Sequence, residues 1–175
     1  MVFSFPQIMT HTFSQFPPHA KIWVYAADRA LSSEAVLAIQ SQVNAFTQSW
    51  TAHEMPMKAL GQVLYNQIVV IALDETQHSI SGCGIDKSVK LMKDLGEQWQ
   101  VNFFDRMMVL VKEGDELQTF TKQSLQMAIE AGNIDENTLV WNPVVSNLDD
   151  FLNKGFVKLS HFWMAPQLKF LVQAK

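Results

Sequence analysis

Between Lys21 and Val111 the apolar residues of this chain change period repeatedly, and their order limits the available architectures more than any other feature. Ile22, Trp23, Val24 and Tyr25 form a short run of strand formers. Ser32 and Ser33 are helix-capping residues followed by Glu34. Val36, Ile39, Val43, Phe46 and Trp50 then recur at three-and-four spacing, which predicts a helix with one buried stripe. Val63, Leu64 and Tyr65 precede a break at Asn66 and Gln67, and Ile68 to Leu73 follow it, so two strands joined by a hairpin are expected. A second helical stripe runs through Ile85, Val89, Met92, Leu95 and Trp99, with Gly96 facing inward. Met107 to Val111 reads as a further strand. The order β, α, β, β, α, β predicts an α+β protein whose core, residues 21–112, is a ferredoxin-like sandwich.

The last third, 113–175, predicts a small C-terminal extension packed on that core. It has a turn at Gly114 to Glu116, a helix capped by Thr121 and closed by Gly132, and a short strand from Leu139 to Trp141. Ser146 and Asp149 have capping-box spacing before Phe151 and Leu152, and the chain is apolar again from Phe156 to Val172. Residues 1–20 carry Phe3, Phe5, Phe13 and Phe16 among prolines without a regular period. They read as an irregular tail.

At 175 residues the chain is long enough for one self-sufficient core. Its 48% hydrophobic and 17% charged residues exclude a disordered protein and point to some covered surface, for which a homodimer is one arrangement. Thirteen Lys and Arg against 17 Asp and Glu, with Arg29 and Arg106 the only arginines and no basic run, argue against a nucleic-acid partner. The single cysteine, Cys83, excludes an internal disulfide and fits a reducing compartment. Met1 to Ala20 lacks the basic start and apolar run of a secretory signal, and Ile68 to Leu73 is too short to cross a bilayer. The expectation is a cytoplasmic protein without a membrane partner.

The densest cluster of unusual residues is Ser81-Gly82-Cys83-Gly84-Ile85-Asp86-Lys87-Ser88, between a strand end and a helix start. Gly82 and Gly84 permit a tight turn, and exposed N–H groups at a helix start, joined by Ser88, favour an anion or a thiolate. In the expected fold His53 follows the first helix, Cys83 precedes the second, and Asp74 and Glu75 close the third strand, all at one end of the sheet. Cys83 would be a nucleophile, with His53 its base and Asp74 or Asp86 the carboxylate. The alternatives are a Cys83 packed under a loop, a merely polar His53, and an Asp86 that caps the helix. Asp28-Arg29 and Asp105-Arg106 fall together at the opposite end, where Arg29 and Arg106 would hold an anion or make local salt bridges.

His11, His19, His53, His78 and His161 are scattered, so no metal site is expected. None of the seven glycines precedes a Lys and Ser or Thr at phosphate-loop spacing, which excludes an ATPase of that kind and leaves no cofactor motif.

Trp23-Val24-Tyr25 with Asp28-Arg29, Trp50-Thr51-Ala52-His53, Asp74-Glu75, Ser81-Gly82-Cys83 with Ile85-Asp86, and Phe104-Asp105-Arg106 together resemble a family of small uncharacterised bacterial proteins, over about Lys21 to Trp163. Its members often bear the label "ABC transporter ATPase", which the missing phosphate loop contradicts in this chain. The resemblance implies that the cysteine loop and His53 belong to one recurrent pattern. Met107 to Trp141, with Gly114, Phe120-Thr121, Leu125, Gly132, Ile134 and Thr138-Leu139-Val140-Trp141, is similar to the GYF-type modules that bind proline-rich peptides. In this chain Gln118-Thr119 replace the family's Gly-Pro.

Three functional expectations follow. One is a small site at the Cys83 loop that binds a small, anionic ligand or performs thiol chemistry. Another is an interaction module that docks a protein partner through Trp141 and Trp163 or through the Phe-bearing tail. The third is a scaffold without a site.

Overall fold

The computed structural model describes residues 12–52 and 54–170, and within them the protein is of mixed α and β content. Its first sheet has β5 (Ile68–Asp74) in the middle, with β1 (Lys21–Ala26) and β4 (Lys58–Leu64) antiparallel on either side. The β4–β5 hairpin turns through Tyr65 and Asn66, both at positive φ, where an asparagine is well tolerated. β5 is apolar without alternation because both of its faces are covered. Val69, Ile71 and Leu73 enter one core, while Ile68, Val70 and Ala72 enter another.

The first core lies under α1 (Ser33–Ser49) and α2 (Gly82–Trp99). Ser32 caps α1 by accepting from the Ala35 amide, and Ala35, Ile39, Val43 and Thr47 form the buried stripe. α1 sits directly on β4 at Gly61, where a Cβ would collide with Val43. α2 is capped by Ser81, buries Ser88, Met92, Leu95 and Gly96, and ends at Gln100 in the left-handed region.

The second sheet has the order β7-β6-β8-β9. β6 (Val109–Glu113) and β7 (Glu116–Phe120) form a hairpin through Gly114 at φ 59°. They are followed by α3 (Lys122–Glu130), β8 (Leu139–Trp141), α4 (Leu148–Lys154) and β9 (Phe156–Lys158). Val109, Val111 and Val140 pack with Leu125 and Ile129 of α3, whereas Leu110, Leu117 and Trp141 join the core beneath the first sheet. The layers therefore run helix, sheet, sheet, helix. Between Thr51–Ala52 (β2) and Met55–Pro56 (β3) lies a short two-stranded ribbon.

Several details differ from expectation. The strand expected at 107–111 runs from 109 to 113 and belongs to the second sheet, so the first sheet is not the four-stranded ferredoxin-like one. The free edge of β1 instead takes the 146–147 segment, with Ile22 N donating to Ser146 O at 3.1 Å. A short apolar run marks a strand without saying which sheet it joins. The expected boundary at 112/113 falls within the β6–β7 hairpin. Asn147 rather than Ser146 caps α4, accepting from the Asp150 amide at 2.8 Å. The tail is built into the inter-sheet core through Phe13 and Phe16, with Phe13 edge-on to Phe151 at 6.0 Å, while Phe3 and Phe5 lie outside the described residues.

Candidate functional site

The antiparallel register places Lys21, Lys58 and Asp74 at one end of the first sheet. The end of α1 and the start of α2 meet there, because the Trp50 indole donates to the Gly84 carbonyl at 3.1 Å. Cys83 lies in the first turn of α2 rather than in a preceding loop, and it is exposed, which overturns the packed-cysteine alternative. Gly82 is exposed and a Cβ there would meet nothing, whereas one at Gly84 would come within 2.7 Å of Ile80 Cδ1. Ser88 is fully buried, donates to Ile85 O at 2.7 Å and hydrogen-bonds Tyr25, whose phenol burial pushes up in pKa more strongly than Ser88 lowers it. Gly84 and Ser88 thus fasten α2 to the core and are closed to a ligand, which corrects their assignment as binding residues. Asp86 is exposed on α2, and His53 lies outside the described residues.

At the opposite end the two arginine segments are neighbours, joined by Asp28 N donating to Asn102 O at 3.0 Å. The Arg29 guanidinium donates to Asp28 at 3.3 Å and to the Gln100 carbonyl, so the local salt bridge that was the alternative to an anion site is present. Arg106 is exposed.

Asp74 belongs to a different constellation. A cleft of about 450 Å³ opens where the 14–17 segment crosses the ends of β4 and β5, with Lys58, Asp74, Thr76, Gln77 and His78 among its walls. Thr76 holds the Asp74 carboxyl below its ordinary range by donating to Oδ1 through its hydroxyl and, at 2.9 Å, its amide. Burial opposes this, and Lys58 at 3.2 Å from Oδ2 adds to it. Lys58 also donates to Gln15 O at 2.6 Å and lies 5.1 Å above the Phe16 ring, so it ties the tail to the sheet. Beside the cleft, burial pushes Glu75 up, but Lys21 at 2.7 Å and the Ile80 amide at 2.6 Å outweigh it and leave the carboxyl low.

Sequence reasoning reached Asp74 and missed Lys58 and His78. Only the register, with Lys58 opposite Asp74, brings Lys58 in, and no local pattern announces that. His78 was one of five scattered histidines, and its half-buried place on the cleft wall depends on the loop after β5. Trp141, offered as a docking residue, is buried against Phe151 and Phe156, while Trp163 is 41% exposed.

The chain matches no family model, no curated protein and no solved structure. Among the described residues no helix is long and apolar enough to cross a membrane, and no His, Cys, Asp and Glu group is clustered as metal ligands would be.

Proposed function

We propose that the protein binds a small molecule in the cleft around Lys58, Asp74 and His78. The observation that carries this reading is the meeting of polar groups from three distant segments, 14–17, 56–58 and 74–78, over apolar surface supplied by Pro17, Pro56 and Met57. Concave sites of a few hundred Å³ with a few convergent polar groups are where small ligands bind. The small-ligand expectation therefore shifts from the Cys83 loop to the neighbouring cleft, whose walls do not include Cys83.

The test is a screen of small acids, amides and amines by amide chemical-shift mapping on the full chain. Saturable shifts at Lys58, Thr76, Gln77 and His78 are expected. Hits confined to the groove between α1 and α2, beside Phe46 and Lys87, would reject the cleft.

A second reading keeps thiol chemistry at Cys83, supported by its exposure in the first turn of an 18-residue helix. Its test is the alkylation rate described below.

A further inference from the structure

We propose that the ligand of this cleft is a small organic anion, its acidic group held by Lys58 and His78 and its apolar body laid along Pro17, Pro56 and Met57. The inference rests on the cleft being the site, and it follows from which hydrogen-bonding groups remain uncommitted there.

The charged acceptor is spent. Asp74 Oδ1 takes the Thr76 amide at 2.9 Å and the Thr76 hydroxyl, and Oδ2 takes the Lys58 ammonium at 3.2 Å. The Gln15 carbonyl takes the same ammonium at 2.6 Å.

The donors are not spent. An ammonium has three N–H groups, and Lys58 commits two of them. The side chains of His78 and Gln77 make no hydrogen bond among the described residues, although both line the cleft. The Gln77 amide can donate or accept, so the charge decides: the open position on the Lys58 ammonium calls for an anionic acceptor. A cationic ligand would have to displace Lys58 from Asp74 and would meet its charge, so the cleft disfavours amines. A neutral amide would satisfy one donor and forgo the charge-assisted contact, which is the stronger kind.

The remaining wall fixes the other half of the molecule. Pro17, Pro56 and Met57 carry no side-chain donors, so a ring or branched chain laid against the exposed Pro56 and the half-buried Pro17 displaces water at no polar cost. About 450 Å³ accommodates a single ring with an acidic substituent.

The experiment titrates benzoate, benzamide and benzylamine into the full chain and follows backbone amide shifts. Benzoate is expected to saturate shifts at Thr76, Gln77 and His78 and to bind about tenfold more tightly than benzamide, the effect of one charge-assisted hydrogen bond. His78→Gln and Lys58→Met should each weaken benzoate by a similar factor and benzamide by much less. His78→Gln is the safer variant, because Lys58 also anchors the tail through Gln15. Equal binding of benzamide or benzylamine in the cleft, or benzoate binding indifferent to both variants, overturns the anion and leaves the cleft standing as the site. No saturable shift in the cleft from any of the three probes overturns both.

Discussion

The side chain of Gln40 stands in for a neighbouring strand at Gly61. From α1, its Nε2 donates to the Gly61 carbonyl at 3.0 Å and its Oε1 accepts from the Val63 amide at 2.8 Å. These are the two groups that a further strand beside β4 would have paired. Replacing Gln40 by Leu leaves both unmet under the helix and should cost roughly 1–3 kcal/mol, read as a lower urea midpoint at unchanged slope. A variant as stable as the parent would show that solvent reaches this edge.

The contact of α1 with β4 at Gly61 has no spare room. Gly61→Ala would drive a methyl into Val43 and should lose roughly 1–3 kcal/mol. Val43→Ala in the same chain should recover part of that loss, giving a double-mutant coupling of opposite sign to the single effects. Additive losses would place the strain elsewhere.

Asp74 and Glu75 both sit below their ordinary values of 3.8 and 4.5 in the folded protein. The folded state therefore binds these protons less readily than the unfolded chain. Their contribution is complete above those ordinary values and drains away as the pH falls through and below them. Between about pH 6 and about pH 3 the parent should lose more stability than Asp74→Asn or Glu75→Gln, measured by denaturant midpoints at each pH. Parallel acid limbs would contradict the hydrogen bonding assigned to Thr76 and Lys21.

Cys83 should react with iodoacetamide in the native protein without prior unfolding, since it is exposed. Cys83→Ser should leave stability within about 0.5 kcal/mol, as for surface substitutions generally. A native rate well above that of the unfolded chain would favour the thiol-chemistry reading, and equal rates would leave a merely accessible thiol.

The elements that local chemistry specifies were legible before the structure. The caps at Ser32 and Thr121, Ile39 and Val43 at the centre of the α1 stripe, and the turn at Asn66 each depend on residues within a few positions of one another, whereas Ala35 and Thr47 complete that stripe in place of the expected Val36, Phe46 and Trp50. What was not legible depends on partners far along the chain. The unbroken apolar run of β5 marks a strand covered on both faces without naming what covers it, and the second cover comes from Leu110, Trp141 and Phe151. Phe13 and Phe16 sit among prolines with no period because they fill a gap between sheets rather than lie along a face. The cleft was half legible. Asp74 and Glu75 stood out as charges at a strand end, whereas Lys58 and His78 acquire meaning only from the register and the loop after β5.

β5 lies between two cores, and one of them is completed by residues more than a hundred positions from the N-terminus. During synthesis the first sheet can therefore form with only its helix-covered face protected. The other face, with Ile22, Ile68 and Val70, has of its final cover only the Phe13 and Phe16 segment until Leu110, Trp141 and Phe151 have left the ribosome. Over that interval the nascent chain carries a partly uncovered apolar sheet, the kind of surface that chaperones hold and that aggregates when they do not.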